Sequence, residues 1–304
     1  MKLVTFSFPN ETTQHIGALH QNQIYDLGQA AQAQGKALPN TVRDLIASGA
    51  AGMAMAQSTL AEAIAAKAKA IAPDAVVLHA PITNPDKILA LAGNYQAHIT
   101  ESGAKPVDKT RITPRVFWKP NTTLCGHKAP ILLPEISEHV DYELELAVVI
   151  GAGGSRIPLG EAMSHVAGYA VYNDVSSRRL TITAGREERN GDWFYDWLNG
   201  KWQDNSGPMG PSFVTADEVK DPMNLWMKLW VNGELRQDAN TSQMIFDIAE
   251  TIAFASRLMT LLPGDIIATG TPSGVGDAIG VYLKPGDVVR CEVEGLGVLE
   301  NTVQ

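Results

Sequence analysis

Ten residues, Asp141-Tyr142-Glu143-Leu144-Glu145-Leu146-Ala147-Val148-Val149-Ile150, restrict what this chain can fold into more than any other stretch. The run ends in β-branched and apolar residues and predicts a strand. Alternation puts Leu144, Leu146, Val148 and Ile150 on one face, and Glu143, Glu145, Ala147 and Val149 on the other. The second face turns apolar after Glu145, so the strand is expected to be covered on both sides. Two carboxylates then enter a buried layer. At about 6 Å and an effective dielectric near 20 they repel by roughly 3 kcal/mol, and desolvation adds to the cost. A divalent cation relieves both, and oxygen-only ligation suits magnesium, manganese or calcium. The plainer reading is a strand entering from solvent, with both glutamates at its wet mouth.

At 304 residues, 45% hydrophobic and 19% charged, the chain supplies core enough for one large domain or two smaller ones. A net charge of -9, with no basic run, argues against a nucleic-acid surface. It leaves room for a small anionic substrate, because a bound cation reverses the local field. Cys125 and Cys291 have no zinc or disulfide spacing and suit a reducing compartment, so the cytoplasm is expected. The start of the chain does not read as a signal peptide. The Ala-rich run from Ala50 to Ala72, broken by Gln57, Glu62, Lys67 and Lys69, predicts an amphipathic helix rather than a membrane span.

Residues Lys2 to Leu27 predict short strands, with a hairpin turning near Gln21-Asn22. Thr41 or Asn40 is a candidate cap for a short helix ending at Gly49. Pro73, Pro81 and Pro85 mark an extended stretch, which places a boundary between a small module, residues 1–80, and a main domain, residues 81–304. The main domain is strand-rich. Its expected strands include Ile88 to Ala92, Val166 to Tyr172 and Ile266 to Ala268, and Asn232-Gly233 predicts a hairpin. Thr241 or Ser242 is expected to start a helix with Ile245, Ile248, Ile252, Ala255 and Met259 at helical spacing.

Several polar groups fall where chemistry could use them. Asp174 follows a strand and can join Glu143 and Glu145 as a third oxygen ligand, or can simply cap a turn. His98 and Glu101 share a face if they lie on one helical turn. A carboxylate on the imidazole orients it and raises its basicity, which suits a general base; a surface ion pair is the bland alternative. The polar segment from Ser102 to Thr113 could close over a ligand. Lys201 follows an aromatic-rich segment and can meet a developing enolate or a carboxylate, although an exposed lysine is the usual case. The loop Thr269 to Gly276 lacks a phosphate-loop lysine and predicts a close-approach wall, with the hydroxyls of Thr269 or Thr271 facing substrate.

Together these stretches resemble the fumarylacetoacetate hydrolase family. The resemblance is carried by Gly93-Asn94-Tyr95 with His98 and Glu101, by Phe117-Trp118-Lys119-Pro120, by the acidic run, and by Asn173-Asp174-Val175-Ser176. It continues through Gly200-Lys201, Pro208-Met209-Gly210-Pro211, Val231-Asn232-Gly233-Glu234 and Pro263-Gly264-Asp265 to Gly276. It covers about Asp86 to the C-terminus. It implies a mostly β, α+β architecture: a mixed β-sandwich roll with a small N-terminal α/β domain, assembled as a homodimer. It further implies Glu143, Glu145 and Asp174 as ligands of Mg2+ or Mn2+, with Ca2+ as a further option. His98 with Glu101 would be a water-activating dyad and Lys201 a catalytic cation. Arg178, Thr271 and Tyr95 would contact substrate.

The activity implied is metal-dependent hydrolysis of a carbon–carbon bond in a 2,4-dioxo acid, of acylpyruvate or diketo-deoxy sugar acid type. The alternative is a decarboxylase or isomerase of a 2-oxo dicarboxylic acid, such as oxaloacetate, on the same site. A non-catalytic binding module is the third possibility. The chain departs from the family pattern at Arg179 and Thr181, where relatives have an acid and a glutamine, and at Trp202-Gln203-Asp204 after the lysine. These departures bear on substrate identity.

Overall fold

The computed structural model describes all 304 residues, Met1–Gln304. Its centre is the strand Leu144–Ile150, buried along its whole length. It lies antiparallel to Val166–Asn173 on one side and to Ile266–Ala268 on the other. The sheet continues outward through Ile88–Ala92, parallel to Ile266–Ala268, to the edge strand Arg115–Lys119. In the other direction it passes through Gly207–Thr215 to the N-terminal strands Lys2–Ser7, His15–His20 and Gln23–Asp26.

The expected alternation decides what covers each face. Leu144, Leu146, Val148 and Ile150 enter a core shared with a second sheet. That sheet runs in the order Glu234–Asn240, Trp226–Val231, Val288–Val293, Gly297–Thr302. Met227, Leu229, Val289 and Leu299 are among its contributions to the core. Ala147 and Val149, on the opposite face, join Leu27, Leu45, Ile46, Ala56 and Leu60 from the N-terminal helices. Small residues on that face allow helices to lie close to the sheet, and dry packing on both sides explains why the strand carries no solvent-facing alternation. The result is the mostly-strand, α+β architecture expected from the sequence.

Local chemistry sets the remaining elements. Gln21 and Asn22 adopt positive φ at the first hairpin, and Asn232 and Gly233 at the second, as tight hairpin turns demand. Thr41 caps the helix Val42–Ala47, accepting a hydrogen bond from Asp44 N. The Ala-rich helix is shorter than the sequence run, Gly49–Ala65. The helix expected from Thr241 or Ser242 begins later. Thr241–Gln243 forms only a 3-10 turn, and the α-helix is Ile248–Leu258. Asp247 takes over as its cap, because its carboxylate accepts from Glu250 N while Glu250 accepts from Asp247 N.

The N-terminal strands meet the main body where Lys2 and Leu3 pair with Val214 and Phe213. The proposed join near residue 80 follows Val77–Leu78, which pairs back onto Phe6 and Ser7. No helix is long and apolar enough to cross a membrane.

Replacing Asp247 with Ala removes the carboxylate that accepts from Glu250 N and leaves only the backbone N–H half of the capping box. A loss of about 1 kcal/mol is expected, read as a lower midpoint in thermal or urea unfolding, with Glu250→Ala giving a smaller loss in the same direction.

Candidate active site

Three loops converge at one end of the central sheet. Strand Ile88–Ala92 runs into Asn94 and the short helix Gln96–Glu101; strand Ile266–Ala268 runs into the loop 269–276. Because these two strands are parallel, both loops emerge at the same edge. Leu144–Ile150 is antiparallel to Ile266–Ala268, so its first residues, with Glu143 and Glu145, start there. The register Asn173↔Leu144 brings the next residue, Asp174, beside them, and Asp174 N donates to Glu143 O at 2.8 Å.

Glu143, Glu145 and Asp174 each offer a carboxylate oxygen, and these oxygens lie within 4.8 Å of one another. All three residues are buried, so the glutamates do not sit at a wet mouth. At such spacing each like-charge pair costs roughly 3 kcal/mol at an effective dielectric of 20. Cations offset most of this. Lys201 Nζ lies 2.8 Å from both Glu143 Oε2 and Asp174 Oδ2. Lys119 Nζ, wholly buried, lies 2.5 Å from Asp174 Oδ1. Arg178 bridges Asp141 Oδ2 and Glu143 Oε1, both at 2.7 Å. Four buried carboxylates, Asp141 included, thus face three cations.

Glu145 is the one left over. Its Oε2 accepts from Gly270 N at 2.8 Å, whereas its Oε1 has no partner. Burial, and then the charges of Asp174 and Glu143, push its carboxyl well above the ordinary glutamate range. Glu143 faces the same burial but lies beside Lys201 and Arg178, which outweigh it and hold its carboxyl below the usual range. An orphaned buried oxygen, two more carboxylates at ligand spacing and a residual negative charge fit a hard divalent cation. Lys201 is held in its charged form by Asp174 and Glu143 against the effect of burial.

The loop 269–276 acts through its backbone more than its hydroxyls. Gly270 N holds Glu145, Gly274 N holds Glu101 Oε2 at 2.6 Å, and Gly276 N holds Asp141 Oδ1 at 2.7 Å. Gly274 has φ +104, and a Cβ there would stand 2.0 Å from Arg236 O, so only glycine brings that N–H to the carboxylate. Glu101 uses its other oxygen on His98, with Oε1 2.5 Å from Nδ1. The imidazole is thereby oriented, with Nε2 left for other chemistry. His98 is close enough for its charge to act on Glu143.

The remaining predicted residues are placed differently. Thr269 Oγ1 donates to Leu146 O, and Thr271 Oγ1 accepts from Gln237 Nε2 at 2.9 Å. The Tyr95 hydroxyl is buried and donates to Met227 Sδ at 3.4 Å. Arg178 is committed to Asp141 and Glu143. In this structure each of these side chains has a partner within the protein. Four residues that the sequence reading gave no role also belong here. Lys119 pairs with Asp174. Asp141 anchors Arg178 and the N–H groups of Gly276 and Asp277. Asn94 ties Thr269 O to Phe246. Gln237 accepts from Leu144 N and donates to Pro272 O. Lys119 had a legible signal: a lysine that alternation places on the same strand face as Phe117.

The raised Glu145 carboxyl fixes a pH dependence. In metal-free protein the folded state holds that proton more tightly than the unfolded chain does. Its contribution to stability is therefore complete below the ordinary glutamate value and is lost as pH rises toward the folded value. Glu145→Gln should raise the metal-free unfolding midpoint at pH 8, with a smaller gain at pH 5. Added Mn2+ should stabilise the wild type more than the variant. Equal midpoints for the two proteins at both pH values, with and without Mn2+, would refute the assignment of the excess charge to Glu145.

The family described as Fumarylacetoacetate (FAA) hydrolase C-terminal matches residues 87–304. Oxaloacetate tautomerase FAHD2A, mitochondrial, from Homo sapiens is 39% identical over all of this chain and 91% of its own length. Oxaloacetate tautomerase fahd2, mitochondrial, from Xenopus laevis is 40% identical over all of this chain and 90% of its own. Among solved structures, maleylpyruvate hydrolase from Sphingobium sp. SYK-6, in complex with manganese(II) and pyruvate, superposes with a TM-score of 0.76. It shares 31% identity over 100% of this chain and 98% of that one. The 5-carboxymethyl-2-hydroxymuconate delta-isomerase of Mycobacterium smegmatis gives 0.71 and 30%, over 100% and 98% of the two chains. With the profile spanning residues 87–304 and full-length relatives at this identity, the chain belongs to the fumarylacetoacetate hydrolase family.

Proposed function

We propose that this protein is a metal-dependent tautomerase of a small 2-oxo dicarboxylic acid, interconverting the enol and keto forms of oxaloacetate. The observation that carries the reading is full-length similarity to relatives named oxaloacetate tautomerase. It supports the isomerase alternative from the sequence over carbon–carbon bond hydrolysis. Glu143, Glu145 and Asp174 would hold Mg2+ or Mn2+, with Ca2+ a third option. When bound, such an ion polarises a 2-oxo group and favours its enolate.

The protein's own groups then have defined tasks. Lys201, already positive between Glu143 and Asp174, places a second cation where enolate charge develops. His98 Nε2 carries the proton exchanged at C3, while Glu101 on Nδ1 fixes the ring and stabilises the imidazolium. Gly274 N keeps Glu101 in place. No bond between carbons breaks and no attacking water is needed. We further propose that the molecule works as a homodimer in a reducing compartment such as the cytoplasm, since both cysteines are free and buried. The vertebrate relatives are named as mitochondrial.

A second reading, hydrolysis of an acylpyruvate, is favoured by the likeness to maleylpyruvate hydrolase. There the same dyad would deprotonate water. The two are separated by feeding enol-oxaloacetate and an acylpyruvate in turn with Mg2+ or Mn2+, following enol absorbance, pyruvate and carbon dioxide separately. We expect enol loss without carbon dioxide or pyruvate. His98→Ala should lower kcat/KM by roughly a hundredfold or more. An unchanged rate in that variant would remove His98 from the reaction, and pyruvate release from the acylpyruvate as the faster process would favour hydrolysis.

A further inference from the structure

We propose that an aromatic cleft beside Lys201 is a substituent pocket, and that the site also tautomerises arylpyruvates, 2-oxo acids bearing an aromatic ring on C3. This rests on the tautomerase reading above. The cleft has a volume of about 690 Å³ and is walled by Phe117, Trp193, Phe194, Trp197, Phe254 and Leu258. That is more room than a four-carbon acid needs and lies in the range of small-ligand pockets. The helix Asp192–Asn199 supplies three of those rings. Trp193 is 75% exposed and Phe194 44%, so the chain itself leaves them largely uncovered. Exposed aromatic surface gathered on one helix is costly in water and points to a ligand or partner.

The position of the cleft favours a ligand. Phe117 and Trp197 pack edge to face with centroids 5.0 Å apart. Lys201 Nζ stands 5.5 Å from the Phe117 ring and 5.9 Å from the Trp197 ring. The same ammonium touches Glu143 and Asp174. One ammonium therefore touches both the carboxylates and the pair of rings that walls the cleft. Arg115 is its sole charged lining residue and no acid lines it. In a chain of net charge -9, an anion meets attraction there rather than repulsion. An aromatic ring gains stacking against these walls, and its 2-oxo acid end belongs to the carboxylate end. The reaction stays balanced. The enol oxygen gives up its proton, C3 gains one, and the double bond moves from C2–C3 to C2–O, with no oxidant or reductant.

The test compares enol-phenylpyruvate with enol-oxaloacetate in the presence of Mn2+, using wild type, Trp193→Ala and Phe194→Ala. Quenching of tryptophan fluorescence by phenylpyruvate serves as a binding readout apart from turnover. We expect both acids to be turned over. The variants should lose roughly three- to tenfold in kcat/KM for phenylpyruvate, with weaker quenching, and keep their rate on oxaloacetate. Turnover of oxaloacetate alone, with phenylpyruvate at the buffer rate, overturns this proposal and leaves the tautomerase reading standing. Failure with both acids removes that reading as well. If the variants change only the assembly size in light scattering and neither substrate's kinetics, a second copy of the chain covers the cleft and the proposal is wrong.

Discussion

Buried like charge is the constraint around which this molecule is built. Glu143, Glu145, Asp174 and Asp141 sit at one end of a sheet that is dry on both faces. Such a cluster is tolerable only if cations and N–H groups surround it. Lys119, Lys201 and Arg178 provide the cations, and the backbone of Gly270, Gly274 and Gly276 provides donors to Glu145, Glu101 and Asp141. The balance stops one charge short, at Glu145 Oε1. A cluster of three carboxylates left with an unsatisfied oxygen has the donor set that suits a hard cation.

The same constraint explains why the loop 269–276 is so rich in glycine. Three of its N–H groups must reach three carboxylates from different elements. Approach that close leaves no room for a Cβ, as the contacts at Gly274 and Gly276 with Arg236 O and Val281 O make plain. The loop thus couples the histidine helix to the acidic strand. Glu101 is shared between His98 and Gly274, while Glu145 is held by Gly270 four residues earlier in the same loop. Movement of this loop would disturb Glu101, Glu145 and Asp141 together.

The layered packing has a parallel logic. A strand apolar on both faces needs a layer on each. The second sheet covers one face of Leu144–Ile150, and the N-terminal helices cover the other. The segment before residue 80 therefore shares a core with the main body, whatever its origin as a module. Local signals elsewhere were partly misleading. Thr241 and Ser242 look like helix caps, yet Asp247 and Glu250 form the reciprocal box and the helix starts there. The 3-10 turn Thr241–Gln243 has its own reciprocal box, from Asn240 and Gln243, so capping chemistry alone did not distinguish the two starts.

What the sequence determined by itself were features carried by near neighbours along the chain. Alternation from Leu144 to Ile150 fixed which side chains meet which layer. The spacing of His98 and Glu101 put them on one turn, and Asn232-Gly233 made a hairpin. Tertiary structure alone decided the charge partners. Lys119, Asp141, Asp174 and Lys201 are separated by tens of residues, and ion pairs depend on ångström distances that only sheet register and loop approach can set. The partners of Arg178, Tyr95 and Thr271, which are Asp141 and Glu143, Met227, and Gln237, are set in the same way.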